Sequence, residues 1–156
     1  MVGILFICHG NICRSPMAEF VFKDIVEKLG IGDKFYVASA ATSYEEIGNP
    51  VHYGTAKILD GLGISYTEKR AKHLQKSDYA KYDYLVCMDS ENVRNTLRIV
   101  GDDAKKKIHK LLEFVDSDED VADPWYTGDF DRTYKDVLSG CKGILRYIEK
   151  YHKIKD

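Results

Sequence analysis

The chain has 156 residues, of which 44% are hydrophobic and 31% are charged. This length and composition predict a single folded domain over residues 1–156 and exclude a disordered chain. The formal net charge of -2 gives no basic surface for DNA or RNA, so any anion must be bound by a local site.

The sequence also predicts the cellular location of the protein and the redox state of its cysteines. No segment approaches the roughly 18 apolar residues of a membrane span, and the apolar start Val2–Cys8 lacks the basic flank of a signal peptide. We therefore expect a cytoplasmic monomer without a membrane span. Its five histidines show no metal-ligand spacing, so we expect no metal and no cofactor. Free thiols are expected at the four cysteines, Cys8, Cys13, Cys87 and Cys141.

The first predicted elements are a strand, a loop and a helix. The continuous apolar run Gly3–Cys8 is typical of a strand that is buried on both faces. After the loop His9–Arg14, Ser15 and Pro16 are the residue types of a helix N-cap and first helical position. Gly30 is a plausible end for this helix.

The same alternation continues to the end of the chain. Further strands are predicted at Phe35–Ala40, Tyr84–Met88 and Ile108–Leu112. Further helices are predicted at Tyr53–Leu62 and Asn92–Val100, and a long amphipathic one has apolar positions from Phe130 to Ile148. Gly140 and Gly143 each cost that helix about 1 kcal/mol relative to Ala, which indicates close packing. Strands alternating with helices predict an α/β fold with a parallel sheet, whose ligands bind at the carboxyl ends of the strands.

The segment Cys8–Ser15 (CHGNICRS) follows the predicted first strand and opens the first helix. A loop this short at a helix N-terminus can direct successive backbone N–H groups inward, which predicts an anion cradle. Gly10 and Asn11 are the residue types that adopt the left-handed conformations such a loop needs. The C-x5-R-S pattern therefore predicts a phosphate-binding loop.

Three side chains of this loop suit phosphoryl transfer. The planar guanidinium of Arg14 can bind two phosphate oxygens. The positive field that attracts phosphate also favours a thiolate at Cys8, and the Ser15 hydroxyl can donate a hydrogen bond to that sulfur. The alternative without function is a buried cysteine at a strand end followed by an arginine that faces solvent.

Asp123 is the predicted acid. A departing phenolate, whose conjugate acid has a pKa of about 10, needs a proton donor. Pro124 favours an extended conformation at Asp123, and the aromatic rings of Trp125 and Tyr126 can form the walls of an aryl phosphate pocket. The alternative is an ordinary Asp-Pro turn.

The sequence resembles the low-molecular-weight protein tyrosine phosphatases along essentially its whole length. The resemblance is carried by CHGNICRSPMAE, SAATS, EIGNP, DYLVCMD and DPWY. It implies a four-stranded parallel sheet flanked by helices on both faces, and a metal-free, two-step hydrolysis of phosphotyrosine proteins and aryl phosphates that releases inorganic phosphate. It implies Cys8 as nucleophile, Arg14 as phosphate clamp and Asp123 as general acid and then base. The implied substrate-binding residues are His9, Gly10, Asn11, Ile12, Cys13, Ser15, Tyr44, Glu45, Trp125 and Tyr126.

The chain departs from the family pattern at a few positions. His9 replaces an uncharged residue such as Leu, and it either adds positive charge near the cradle or faces solvent. Glu45 stands where many relatives have a pocket aromatic, so either Tyr44 replaces that wall or this side is more polar. Lys69 falls where some relatives carry a His that supports the phosphate loop. Relatives acting on phosphoarginine have Thr at the position of Ile12, whose apolar side chain suits an aromatic ring better.

Two questions remain open in the sequence. Cys13 either traps an oxidised Cys8 as a reversible disulfide or fills space. Two rival functions share the cradle: an arsenate reductase, which needs two further cysteines as a relay, and a phosphate-recognition module without turnover, which needs neither nucleophile nor acid.

Overall fold

The computed structural model describes residues 1–152, and a four-stranded parallel sheet lies at its centre. The strands lie in the order β2-β1-β3-β4. Their bounds are Val2–Cys8 (β1), Phe35–Ala41 (β2), Tyr84–Cys87 (β3) and Ile108–Lys110 (β4). The predicted fold class, α/β with a four-stranded parallel sheet, is therefore confirmed.

Helices connect the strands and follow the last one. They are Arg14–Lys28 (α1), Tyr53–Gly61 (α2), Asp78–Lys81 (α3), Ser90–Val100 (α4), Pro124–Thr127 (α5) and Phe130–His152 (α6). Short 3₁₀ turns lie at Gly32–Lys34 and Leu111–Val115. Across residues 1–152, we find no helix both long and apolar enough to cross a membrane.

The sheet is covered on both faces, as the apolar run of β1 predicts. Ile4 and Phe6 point into the larger core, which α1 and α6 complete. Leu5 and Ile7 point into a second core on the opposite face, where they pack with Val100 of α4. All four β1 side chains are fully buried, so both faces of the strand are sealed from water.

The register of the strands brings three chain segments to one edge of the sheet. Cys8 at the end of β1 pairs with Ala41 at the end of β2, and Ile7 pairs with Cys87 at the end of β3. The segments that leave these strands therefore start side by side. Ligands of parallel sheets bind at this edge.

The start of α1 differs from the prediction. The N-cap is Cys13, which makes no side-chain capping bond, and Ser15 and Pro16 lie inside the first turn. The predicted N-cap role of Ser15 was wrong, whereas the contact predicted between its hydroxyl and the Cys8 sulfur is present at 2.9 Å. The Ser15 hydroxyl therefore bonds to Cys8 and does not cap α1.

The end of β4 also differs from the prediction. The strand stops at Lys110, and Leu111 and Leu112 begin the following 3₁₀ turn. Leu111 is fully buried and packs on Gly140 of α6. The chain turns here because Leu111 is drawn under α6 instead of extending the sheet.

Two glycines let α6 approach this turn closely, as their cost to the helix predicted. A Cβ atom at Gly140 would overlap the side chain of Leu111. A Cβ atom at Gly143 would lie 2.6 Å from the carbonyl oxygen of Phe114, a backbone atom that cannot swing aside. The close packing predicted for both positions is confirmed.

We predict that Gly143→Ala lowers the free energy of unfolding by about 1–3 kcal/mol, because overlap with a backbone carbonyl forces α6 outward. Urea denaturation followed by circular dichroism measures this change. Gly61→Ala is the matched control, since Gly61 ends α2 and nothing lies within 4 Å of its added Cβ. The control should keep or raise stability by up to about 1 kcal/mol. Equal effects of the two substitutions would contradict the packing argument.

Candidate active site

The loop between β1 and α1 exposes several backbone donors. The N–H groups of Gly10, Ile12 and Cys13 make no backbone hydrogen bond within residues 1–152. The N–H groups of Arg14 and Ser15, in the first turn of α1, have no partner in the helix. The positive end of the helix dipole lies at the same place. The loop can therefore bind an anion through its backbone.

Asn11 gives the loop its curl. It adopts the left-handed conformation with φ 59°, which costs about 1–2 kcal/mol outside glycine. Its buried side chain compensates, because Nδ2 donates to the Ser15 and Ser39 hydroxyls at 2.8 and 2.9 Å. Its Oδ1 accepts the Lys72 N–H at 3.1 Å. Gly10, which also tolerates this conformation, does not have a positive φ.

The hydrogen bonds behind the loop have a defined direction. The Ser39 hydroxyl donates to the Glu19 carboxylate at 2.6 Å, so its oxygen is free to accept from Asn11. Ser15 also accepts from Asn11, which leaves its proton for the Cys8 sulfur 2.9 Å away. The Asn11 N–H lies 3.3 Å from the same sulfur. Two donors therefore face Cys8, an arrangement that stabilises a thiolate.

Two lysines balance the buried Glu19. Lys23 Nζ lies 2.6 Å and Lys69 Nζ 3.7 Å from its carboxylate oxygens. Lys69 also donates to the Ser39 carbonyl at 3.1 Å. Burial lowers the pKa of Lys69, although the attraction of Glu19 opposes this shift. Lys69 thus contacts Ser39 and Glu19, which lie behind the phosphate loop. The family resemblance suggested a supporting side chain at this position.

Arg14 is buried at the edge of the cradle and is held by acidic partners. Its Nη1 donates to Asp89 Oδ2 at 2.7 Å and to the Val121 carbonyl at 2.8 Å, and its Nη2 lies 3.5 Å from Asp123 Oδ2. Burial opposes the positive charge, yet the nearby Cys8, Asp89 and Asp123 outweigh it and raise the pKa of Arg14. The guanidinium therefore stays charged at every physiological pH.

Sequence reasoning missed Asp89. Its Oδ1 accepts the Asn92 N–H at 2.7 Å and caps α4, while its Oδ2 accepts from Arg14. One carboxylate thus fixes both a helix and the guanidinium. Its place directly after the predicted third strand was the available signal, because that strand end had to lie near the loop after β1.

Asp123 lies opposite Arg14 on a fixed segment. It has the extended conformation expected before Pro124, with φ -79° and ψ 113°, and its Oδ1 accepts the Trp125 N–H at 3.0 Å as the N-cap of α5. The preceding Val121 N–H donates to the Met88 carbonyl at 2.8 Å. Asp123 is therefore tied to the carboxyl end of β3.

One cavity of about 390 Å³ collects most of the predicted site residues. Its walls are Cys8, His9, Gly10, Ile12, Cys13, Arg14, Glu45, Glu46, Asp123, Trp125 and Tyr126. Asn11 and Ser15 lie behind the loop, where they contact Cys8. Glu46 was not predicted as a site residue. Within residues 1–152, no three His, Cys, Asp or Glu side chains are grouped to hold a metal ion.

The structure separates Tyr44 from this cavity. Tyr44 is 75% exposed and stacks on His73, with ring centroids 3.8 Å apart. The Glu45 carboxylate instead lines the cavity and pairs with the half-exposed His9 side chain. Of the two alternatives for this wall, the more polar one is observed.

The other cysteines are held as thiols. Burial, aided by Cys8 and Asp123, raises the pKa of Cys13 to about 12. Burial also raises the pKa of Cys87 to about 12 and that of Cys141 well above its usual range. All four cysteines are free. At neutral pH, Cys13, Cys87 and Cys141 are therefore uncharged and weakly nucleophilic.

We predict that iodoacetamide at pH 7 modifies Cys8 before the other cysteines, because two donors face the Cys8 sulfur whereas burial raises the pKa of the other three thiols. Peptide mass spectrometry over time gives the order of labelling. Inorganic phosphate should slow the reaction by filling the cradle, and Cys8→Ser should remove the fast adduct. Labelling of Cys13 as fast as Cys8 would contradict this assignment.

Comparison with known proteins places this geometry in context. A family model described as low molecular weight phosphotyrosine protein phosphatase matches residues 3–154. The low molecular weight protein-tyrosine-phosphatase YfkJ of Bacillus subtilis is 39% identical over 152 residues, which are 96% of this chain and 97% of YfkJ. PtpA of Staphylococcus aureus, a protein of the same description, is 38% identical over 157 residues, which are 100% of this chain and 99% of PtpA.

Solved structures agree with this relationship. The crystal structure of YfkJ superposes with a TM-score of 0.93 at 40% identity, covering 97% of this chain and 96% of YfkJ. The low molecular weight protein tyrosine phosphatase of Streptococcus pyogenes gives a TM-score of 0.86 at 40% identity, covering 98% of each chain.

Proposed function

This chain belongs to the low molecular weight phosphotyrosine protein phosphatase family, and we propose that it hydrolyses phosphotyrosine in proteins through a phosphocysteine intermediate on Cys8. One observation carries the proposal. The Cys8 sulfur faces two hydrogen-bond donors and shares one cavity with Arg14 and Asp123. A nucleophile, an anion clamp and a proton donor are therefore within reach of one phosphate group.

The phosphate dianion binds in the cradle. The backbone N–H groups of the loop and the positive end of α1 receive its oxygens. The Arg14 guanidinium, oriented by Asp89, supplies the fixed positive charge. These donors also stabilise the charge that develops on the equatorial oxygens during transfer.

In the first step, the Cys8 thiolate attacks phosphorus. The S–P bond forms as the bond between phosphorus and the tyrosine oxygen breaks. Asp123 gives its proton to the departing oxygen, so the products are tyrosine and a phosphocysteine. The position of Asp123, whose Oδ2 lies 3.5 Å from Arg14 Nη2, places its carboxyl group beside the phosphate that the guanidinium binds.

In the second step, Asp123 acts as a base. It takes a proton from water, and the resulting hydroxide attacks phosphorus as the S–P bond breaks. The electron pair returns to the Cys8 sulfur, where Ser15 and the Asn11 N–H stabilise it. Inorganic phosphate leaves, and Asp123 is protonated for the next cycle.

The walls of the cavity favour an aromatic substrate. Trp125 and Tyr126 are exposed rings on one side, and the nearly buried Ile12 adds an apolar surface. A phenyl ring buries apolar area against such walls, whereas a phosphoserine side chain has no ring to place there. Small aryl phosphates are expected substrates for the same reason.

The rival functions receive less support. An arsenate reductase needs two further cysteines as a relay, but Cys87 contacts Thr96 in the core and Cys141 contacts the Ala18 carbonyl. Neither lines the cavity. A phosphate-recognition module needs no carboxyl group beside Arg14, where a negative charge weakens anion binding.

Cellular location and assembly are part of the proposal. We propose a cytoplasmic enzyme, which the four free thiols support because reducing compartments keep cysteines in this form. A monomer is expected, and sedimentation velocity would test it.

We predict that Cys8→Ser abolishes hydrolysis of para-nitrophenyl phosphate and of phosphotyrosine peptides, because serine lacks a thiolate. Asp123→Asn should keep the α5 cap but lower kcat on phosphotyrosine peptides by about 100- to 10,000-fold. Its effect on para-nitrophenyl phosphate should be smaller, since that leaving group needs less protonation. Steady-state kinetics measures both. Intact hydrolysis by Cys8→Ser would refute the mechanism.

We predict that Arg14→Lys lowers kcat/KM by about 100- to 1,000-fold, because an ammonium keeps the charge but loses the two-pronged contact with phosphate. Steady-state kinetics on para-nitrophenyl phosphate measures the loss. The control is Arg98→Lys, at an exposed position of α4, which should leave kcat/KM unchanged. Full activity of Arg14→Lys would show that a point charge suffices.

The substrate class is tested with matched phosphotyrosine, phosphoserine and phosphoarginine peptides. We expect phosphotyrosine to be the preferred substrate, measured as kcat/KM from phosphate release. Faster turnover of phosphoarginine would overturn the substrate assignment while leaving the phosphocysteine mechanism in place.

A further inference from the structure

The mouth of the catalytic cavity has two chemically different walls. The aromatic wall consists of Trp125 and Tyr126. The polar wall consists of His9 from the phosphate loop and Glu45 and Glu46 from the segment after β2. The segment is tied to the phosphate loop, because the Ser43 N–H and hydroxyl both donate to the His9 carbonyl, at 3.1 and 2.9 Å. The backbone that carries both glutamates is therefore anchored beside the cavity mouth.

The two glutamates have different partners. The Glu45 carboxylate contacts the His9 ring. Glu46 accepts a hydrogen bond from the neutral Asn49 amide at 2.5 Å, and it forms no ion pair within the part of the chain that the structure describes. Its Cγ would lie 3.4 Å from a Cβ at Gly10, so its side chain lies against the phosphate loop. Glu46 thus holds an uncompensated charge beside the cradle.

No neighbouring cation of the cavity cancels this charge. Arg14 is 2% exposed and is already engaged by Asp89 and Asp123. A bound phosphate brings two further negative charges into the same space. The glutamate therefore repels the bound phosphate, and a positive charge on the same substrate beside Glu46 offsets this repulsion.

We propose that Glu46, aided by Glu45, selects phosphotyrosines that have a Lys or Arg within two residues along the substrate chain. This inference rests on the proposed phosphatase function and names its preferred protein substrates. The basic side chain reaches the polar wall while the phosphotyrosine ring lies against Trp125. An acidic flanking residue meets like charge instead, so the same carboxylate both favours one class of peptide and disfavours the other.

Two phosphotyrosine peptides that differ in a single flanking residue, Arg or Glu, test the proposal. We expect the wild-type enzyme to prefer the Arg peptide by about 5- to 10-fold in kcat/KM at low salt. Glu46→Gln should reduce this ratio towards one, and Glu46→Arg should invert it. The ratio is taken within each variant, so a general change in turnover cancels.

A second substitution tests the charge argument independently. His9→Gln removes the partner of Glu45 and should increase the preference for the Arg peptide. The control is Glu149→Arg on the exposed side of α6, away from the cavity, which should leave the ratio unchanged. Raising the salt concentration should weaken the preference, since exposed charges are screened.

The outcomes separate this inference from the proposed function. Equal turnover of the two peptides, or a ratio that Glu46→Arg leaves unchanged, would overturn the role of Glu46. A preference for Arg that persists in Glu46→Arg would assign the cation to the aromatic wall instead. If para-nitrophenyl phosphate itself were not hydrolysed, the proposed function would fail first.

Discussion

The structure depends on one constraint: negative charge at the buried loop after β1 must be stabilised by the protein. A thiolate at Cys8 and a phosphate dianion above it both lose water, so protein donors must replace that water. The donors converge because Asn11 is held in a left-handed conformation by its own amide group. The cost of that conformation is offset by hydrogen bonds that end at Glu19, on the far side of the loop.

The parallel sheet brings the parts of this arrangement together. β1 ends at Cys8, β2 contributes Ser39 behind the loop, and Asp89 follows β3 and orients Arg14. Three neighbouring strands therefore each supply one partner near the same edge. Sealing both faces of the sheet in apolar cores keeps these ends at fixed distances. The fold thus positions the groups of the site by holding these strand ends side by side.

Local features of the site could be predicted from the sequence, whereas tertiary contacts could not. The cradle is contiguous, so Cys8 and Arg14 could be recognised from spacing alone. Asp89 reaches Arg14, and Glu46 reaches the cavity, only after folding. The place of Asp89 directly after the third strand was a weak signal, and Glu46 had none. Ser15 shows that one residue type can suit two roles: the sequence allowed both a helix cap and a bond to the Cys8 sulfur, and the fold selects the bond to sulfur. The proposed roles of these residues in turnover remain predictions.

The short helix α5 is braced before any ligand arrives. Asp123 caps it, and the ring of Trp125 packs edge-on against His52, with ring centroids 5.6 Å apart. The segment before it is bonded to the end of β3. In many enzymes a flexible flap closes over the substrate and limits the rate of each cycle. Here the proposed proton donor is already held beside the cavity by contacts within the protein, an arrangement that suits a tyrosine on the surface of a large, rigid substrate.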